Sequence, residues 1–176
     1  MKENLMDVYN CIKTKLAVRE FKIDPVPDSL VLRILQAGRW APSSMNHQPW
    51  QFIVIKEKPV LESAVAIGEI RPFVATAPMA IAIVMDDYDR PLLDAGRALQ
   101  QMQLMAWSDG IGSCFVGIPE QNITVLKRFL KIPEHLDLIS IMPFGFPSNK
   151  IEGFNKVRKP LSQLVHSEKF GEAYQL

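Results

Sequence analysis

The sequence predicts an α+β fold in which helices dominate and about four strands are interspersed among them. Apolar residues recur at helical spacing in several segments, and short apolar runs of strand length lie between those segments. These elements do not follow a strict βαβ alternation. The 176 residues are enough to bury a substantial core, and we expect residues 1–176 to form one domain.

The first half of the chain contains three predicted helices and one predicted strand. An opening helix follows from apolar residues at helical spacing, which are Leu5, Val8, Tyr9 and Ile12. Asp28 is the expected N-cap of a second helix, which ends near Trp40 because Pro42 disfavours helix at the residue before it. Residues 51–56 read as a strand, and residues 60–67 as a short helix.

The second half opens with a continuous apolar run. Residues 77–85 lack polar alternation, so they are expected to form a central strand covered on both faces. Residues 92–108 are apolar almost all round, which predicts a helix buried in the core of a monomer or partly against a second subunit. The remaining predictions are a glycine turn feeding a strand at 110–117, a helix at 122–130, a strand at 136–144 and a short helix at 160–165.

Composition and charge exclude several classes of protein. The formal net charge of +1 at pH 7 gives no indication of a nucleic-acid partner. Cys11 and Cys114 are far apart and in no CxxC pattern, which indicates a reducing compartment rather than a disulfide framework. The sequence has no signal-peptide pattern, and its longest apolar run is too short to span a bilayer. We therefore expect a cytoplasmic protein that is not attached to a membrane.

The usual catalytic motifs are absent from the sequence. The three histidines have neither HExxH nor HxH spacing, so no metal site is expected. The sequence contains no GxSxG elbow, no GxxxxGK[ST] loop and no GxGxxG after the first strand. Gly110 and Gly112, taken alone, favour a helix C-cap and a tight turn over a phosphate site.

Basic residues cluster near both ends of the chain. Lys15 and Arg19 are four residues apart and share one face if that stretch is helical. Lys156 and Arg158 lie on the same side if residues 154–160 are extended. Each cluster alone is typical of a solvated surface. Together they have the charge to hold one phosphate through charge-assisted hydrogen bonds.

The most distinctive segment lies between the second predicted helix and the first predicted strand. Between Trp40 and Trp50 the chain carries two prolines, two serines, an asparagine and a glutamine. This composition is too polar for a core and too stiff for a linker. It favours a fixed loop that binds a planar polar ligand.

Four segments, in the expected order and spread over nearly the whole chain, resemble the nitroreductase family of flavoproteins. The stretch from Trp40 to Trp50 is similar to the family signature Ala-Pro-Ser-Ser-x-Asn-x-Gln-Pro-Trp, which is the most specific of the four matches. Residues 17–21 resemble the N-terminal basic motif, and residues 110–117 resemble the Gly-Leu-Gly-x-Cys-Trp-x-Gly turn and strand. Residues 145–147 followed by 156–161 resemble the C-terminal end.

The resemblance implies a nitroreductase-like fold, with a central, mostly antiparallel sheet flanked by helices, in an interlocked homodimer that binds FMN at the subunit interface. It also implies a ping-pong reaction in which NADH or NADPH donates hydride and a nitroaromatic or quinone-like acceptor is reduced at the same place. Two alternatives stay open. One is another flavin reaction on this fold, such as dehalogenation, flavin fragmentation or ring oxidation. The other is a non-catalytic ligand-binding dimer without flavin.

The resemblance also assigns cofactor-binding residues in three groups, and it implies that the flavin rather than a side chain carries the chemistry. The FMN phosphate and ribityl chain are held by Lys15, Arg19, Lys156 and Arg158. The ring and ribityl chain are approached from the partner subunit by Pro42, Ser43, Ser44, Met45 and Asn46, in a loop ordered by Gln48. The ring is contacted by Gly110, Ile111 and Gly112.

The chain departs from the family pattern in two places. Leu16 and Ala17 stand where the family usually has Arg and Ser, so fewer side-chain contacts to the phosphate or ribityl chain and weaker FMN retention are expected there. Both stay among the expected cofactor-binding residues, since their backbone N–H groups can still serve. Little sequence lies between Arg71 and Asp94, which implies an open substrate pocket. Phe115, in the predicted glycine strand, is expected in the core.

Overall fold

The structure, a computed structural model, describes residues 7–87, 91–148 and 156–175. Its helices are α1 (Val8–Thr14), α2 (Asp28–Arg39), α3 (Lys58–Gly68), α4 (Pro91–Ser108) and α5 (Glu120–Phe129). Its strands are β1 (Trp50–Ile55), β2 (Met79–Met85), β3 (Gly112–Ser113) and β4 (Asp137–Gly145). Single 3₁₀ turns lie at Ser44–Asn46, Pro72–Val74 and Leu161–Gln163. Leu5, Phe154 and Asn155, which entered the sequence predictions, lie outside the described residues.

The four strands form one antiparallel sheet in the order β1-β2-β4-β3. β2 pairs with β1 along one edge and with β4 along the other, and β3 adds a short edge opposite the end of β4. The predicted α+β fold with a mostly antiparallel sheet is therefore confirmed.

Alternate residues of β2 face two separate apolar cores, as the two-residue period of a strand requires. Odd-numbered residues from Met79 to Met85 pack with α2 and α4. Even-numbered residues from Ala80 to Val84 pack with α3 and α5 on the opposite face. Every residue of β2 is buried, which confirms the predicted central strand covered on both faces.

The α4 helix lies between the sheet and two other helices. Its buried residues pack on the sheet side, whereas Leu92 at its start is 72% exposed. An open apolar groove of about 610 Å³ runs between α1, α2 and α4, and Trp40, which is 72% exposed, lies at its edge. We call this surface the apolar groove. Within the described ranges, no helix is both long enough and apolar enough to cross a membrane.

Two local predictions were wrong for identifiable reasons. Pro27, not Asp28, occupies the N-cap position of α2, and the Asp28 carboxylate forms an ion pair with Lys56, which directly follows β1. Phe115 is 54% exposed because β3 ends at Ser113, and the buried positions on either side of Phe115 are occupied by Cys114 and Val116.

Candidate functional site

A pocket of about 790 Å³ lies beside α4, where the end of α1 meets the C-terminal tail. Its described lining includes four cations from opposite ends of the chain, which are Lys13, Lys15, Lys156 and Arg158. Leu16, Ala17 and Gln100 also line it, and no described lining residue is acidic. We call it the cation pocket. Such a concentration of ammonium and guanidinium groups favours an anionic ligand.

The N-terminal side of the cation pocket is fixed by the end of α1. The Trp107 indole Nε1 donates a hydrogen bond to Thr14 Oγ1 at 2.9 Å, which ties the last turn of α1 to α4. The chain then leaves the helix and runs extended. Ala17 bridges to Ser113 in parallel, and the Val18 N–H donates to the Ser113 carbonyl at 3.0 Å. Residues 15–17 are therefore held against the sheet edge rather than on a helix.

The C-terminal side reaches the same place through Lys156. Its Nζ donates to the Ile12 carbonyl at 3.3 Å, near the C-terminus of α1. A lysine is favourable there because the last carbonyls of a helix have no partner within the helix and carry partial negative charge. This contact joins two segments that are 144 residues apart in the sequence.

Lys15 is the most deeply placed of the four cations. It is half-buried, and its Nζ donates to Gln103 Oε1 at 3.0 Å. Burial lowers the pKa of the Lys15 ammonium; charge on Cys114 acts in the opposite direction, and the charge of Lys156 lowers the pKa further. Burial also lowers the pKa of Lys156, with a further contribution from Arg158. Like charges thus crowd one another in this pocket.

The second predicted group forms the loop between α2 and β1, residues 42–48, which we call the signature loop. Met45, Asn46 and Gln48 adopt positive φ angles of 47°, 58° and 51°. The Ser44 N–H donates to Asp94 Oδ2 at 3.1 Å, and the Gln48 N–H donates to Ser43 Oγ at 2.9 Å. Ser43 and Ser44 are half-buried, whereas the other members of the loop are exposed. The loop is polar, exposed and held by specific hydrogen bonds.

The third predicted group, at residues 110–112, follows α4. Gly110 has a φ of 75°, and the Ile111 N–H donates to the Ala106 carbonyl at 2.8 Å, which is the pattern of a Schellman C-cap. A Cβ on Gly112 would lie 2.5 Å from Val18 Cγ2, so this position needs glycine for close packing. Ile111 is fully buried. The fold alone accounts for these residue types, and their contact with a ring stays a prediction.

The structure brings only part of the predicted site together. Lys15, Leu16, Ala17, Lys156 and Arg158 share the cation pocket. Arg19 is exposed and lies outside its described lining. The signature loop and the glycine turn also lie outside that lining. Gln100 lines both the cation pocket and a neighbouring pocket of about 490 Å³, which Pro42 and Arg97 also line.

Sequence reasoning missed four residues of this region. Lys13 lines the cation pocket, Gln100 connects it to the neighbouring pocket, Gln103 holds Lys15, and Asp94 holds the signature loop. The sequence could have indicated Lys13, because it lies only two residues before Lys15. The three residues of α4 had none, because their roles depend on which face of the helix they occupy.

Comparison with known proteins agrees with the fold and with the motifs. The model of the Nitroreductase family matches residues 12–69 and 66–146. A Methanothermobacter thermautotrophicus protein named "Putative NADH dehydrogenase/NAD(P)H nitroreductase" is 32% identical over 157 residues, which cover 84% of this chain and 81% of the relative. An NADPH-dependent oxidoreductase of Staphylococcus saprophyticus is 23% identical, over 93% of this chain and 74% of the relative.

Solved structures show the same likeness. An FMN-dependent nitroreductase from Clostridium difficile R20291 superposes with a TM-score of 0.81 at 25% identity, covering 93% of this chain and 100% of that one. A Bacteroides thetaiotaomicron protein, also named as a candidate NADH dehydrogenase/NAD(P)H nitroreductase, superposes with a TM-score of 0.84 at 25% identity, over 92% and 97% of the two chains. This chain belongs to the Nitroreductase family.

Proposed function

We propose that this protein is an FMN-dependent oxidoreductase that uses NADH or NADPH to reduce a nitroaromatic or quinone-like acceptor by a ping-pong mechanism. The observation that carries the proposal is the cation pocket, in which basic residues from both ends of the chain converge. The names of the relatives support the choice of flavin and nicotinamide, since they include an FMN-dependent nitroreductase and an NADPH-dependent oxidoreductase.

The donor set of the cation pocket fits the phosphate of FMN. Lys15, Lys156 and Arg158 supply charged donors. Burial, with a smaller contribution from neighbouring positive charge, lowers the pKa of both lysines, so an anion placed beside them would favour their charged forms. Leu16 and Ala17 offer backbone groups and little else, so the phosphate contacts come mainly from the three cations. We propose that Lys13, at the rim of the cation pocket, also contacts the phosphate. Arg19, outside the lining, is assigned a weaker contribution.

The rest of the site requires a second subunit in this proposal. The signature loop does not line the cation pocket of its own chain, so we propose that Pro42, Ser43, Ser44, Met45 and Asn46 approach the flavin from the partner subunit. Gln48 keeps the loop in shape. The apolar groove between α1, α2 and α4 supports a homodimer, because burying exposed side chains such as Trp40 removes apolar area from water. Residues 110–112 are proposed to contact the ring.

FMN held by these residues would supply the redox chemistry, which is hydride transfer from NADH or NADPH to the acceptor. In this proposal, the chain's own residues bind and orient the cofactor. The cations fix the phosphate end, and the signature loop forms one wall of the flavin site. In this proposal the chain acts as one FMN-binding domain in the cytoplasm and contacts neither nucleic acid nor membrane.

The test is a spectroscopic titration of the purified protein. We expect it to be yellow, or to take up added FMN, and to bleach anaerobically on addition of NADH or NADPH. Reoxidation by a panel of nitroaromatics and quinones then identifies the acceptor class. A colourless protein that takes up no FMN contradicts the proposal and supports a ligand-binding dimer. A yellow protein that neither nicotinamide bleaches supports another flavin reaction.

A further inference from the structure

Asp94 joins the first turn of α4 to the signature loop. Its side chain is 0% exposed, and a buried carboxylate is costly unless charged or hydrogen-bonding groups surround it. Arg97 Nη1 donates to Asp94 Oδ1 at 2.6 Å, and the backbone N–H of Ser44 donates to Asp94 Oδ2 at 3.1 Å. One carboxylate therefore connects a side chain of α4 to the backbone of the loop.

The segment that follows this contact has a backbone that needs support. Met45, Asn46 and Gln48 all lie in the left-handed region, which non-glycine residues rarely occupy. Such conformations persist only where the surrounding structure determines them, and they concentrate at functional sites. Asp94 fixes the loop immediately before these residues. Beyond them, the Asp86 N–H donates to the Pro49 carbonyl at 2.8 Å.

We propose that Asp94 is a positioning residue, whose carboxylate holds the signature loop, through the Ser44 N–H, in the geometry that the FMN site requires. Arg97 balances the buried charge from a partly exposed position one turn further along α4. The role in FMN binding rests on the proposed function, whereas the restraint on the loop stands on these contacts alone. No pattern in the sequence distinguishes Asp94 from a solvated carboxylate in the first turn of a helix.

The experiment measures amide hydrogen exchange of residues 43–48 in the ligand-free full chain, together with FMN affinity by fluorescence titration. Asp94→Asn keeps the size of the side chain but removes its charge and one acceptor oxygen. We expect loop exchange to accelerate, and the dissociation constant for FMN to rise, each by about tenfold or more. Exchange in the strands stays as in the wild type.

Asp109→Asn is the matched control for loop exchange. Asp109 lies just after the other end of α4 and pairs with Arg33 through both carboxylate oxygens, at 2.8 and 3.0 Å, without touching the loop. This variant removes a comparable carboxylate–arginine pair, so loop exchange is expected to stay at the wild-type rate.

A second pair of variants tests the contact from the loop side and keeps α4 intact. Ser44→Pro removes the N–H that Asp94 accepts, and Ser43, with φ −132° and ψ 158°, already has the extended backbone that a residue before proline adopts. Ser44→Ala removes the hydroxyl and keeps the N–H. We expect residues 45–48 to exchange faster in Ser44→Pro and unchanged in Ser44→Ala, and FMN to bind more weakly to Ser44→Pro than to Ser44→Ala.

The outcomes separate the two claims. Unchanged loop exchange in Asp94→Asn, or in Ser44→Pro where Asp94→Asn does not fold, overturns the restraint. Faster exchange with unchanged FMN affinity overturns the role in the cofactor site. If the wild-type protein binds no FMN, the proposed function and this role fall together, and the exchange rates alone decide whether Asp94 holds the loop.

Discussion

The cation pocket and the signature loop are built on opposite principles. The signature loop is a run of consecutive residues, and its buried carboxylate contact, Asp94 with Arg97 and Ser44, balances charge within the protein. The cation pocket joins segments 144 residues apart, and its charges repel one another. The loop is thus shaped before any ligand arrives, whereas the pocket gains most from the arrival of an anion. If FMN binds as proposed, its two ends are held by these two different means.

The largest effect is expected from removing charge in the pocket. Arg158→Gln and Lys15→Gln should each weaken FMN binding by about tenfold or more, because in the proposed site each removes a charge-assisted contact to the phosphate. Titration of the ligand-free protein with FMN measures both. Lys159→Gln is the control, since Lys159 is exposed and lies outside the described lining.

Arg19 sharpens the same test. The family resemblance places it on the phosphate, so Arg19→Ala is expected to weaken FMN binding. Its position outside the pocket lining predicts a smaller loss than for Arg158→Gln. A loss from Arg19→Ala as large as that from Arg158→Gln would show that the described pocket is only part of the phosphate site. Unchanged FMN affinity in Arg19→Ala would show that Arg19 does not contact the phosphate.

The next effect is a dependence on pH with opposite signs for stability and binding. Burial lowers the pKa of Lys15 and of Lys156 below the ordinary value of 10.5, so each loses its proton at lower pH in the folded protein than in the unfolded chain. Through the window below 10.5, the unfolded chain binds more protons, and the stability of the ligand-free protein should therefore rise with pH. FMN affinity should fall in the same window, because the pocket loses positive charge.

Denaturant unfolding and FMN titration, each repeated from neutral to alkaline pH, measure the two trends. The same two measurements on the Lys15→Gln variant provide the control, since that substitution should weaken both trends and leave only the part that Lys156 contributes. FMN affinity that rises with pH in the wild type would contradict the assignment of these amines to the phosphate.

The smallest effect concerns the signature loop. Met45 is 86% exposed and has a φ of 47°, so its side chain gains little from packing while its backbone is strained. Met45→Gly should therefore stabilise the ligand-free chain by up to about 1 kcal/mol. Ser44→Gly, at a neighbouring position without a positive φ, should destabilise it slightly. Thermal unfolding of both variants measures whether each substitution raises or lowers stability. Destabilisation of equal size in both would show that the Met45 backbone is not strained.

The sequence predicted what depends on neighbouring residues and missed what depends on distant ones. The central strand at 79–85 and the loop between α2 and β1 were recognisable because their signals are contiguous. Lys15 and Lys156 do line one pocket, but the condition that residues 15–19 are helical is not met, because the chain leaves α1 after Thr14. The roles of Asp94 and Gln103 were not predicted from the sequence, because these residues are buried only through the packing of α4. Phe115 was misplaced because the length of β3 is set by pairing with β4, which no local pattern encodes.

The most direct test of the account compares FMN with riboflavin, which has the same ring and ribityl chain but no phosphate. Both are titrated into the ligand-free wild-type protein at neutral pH and low salt. If the cation pocket holds the phosphate, FMN binds at least tenfold more tightly than riboflavin, and Arg158→Gln reduces the difference. Equal affinity for the two flavins would contradict the central claim that the two ends of the chain converge on the phosphate of FMN.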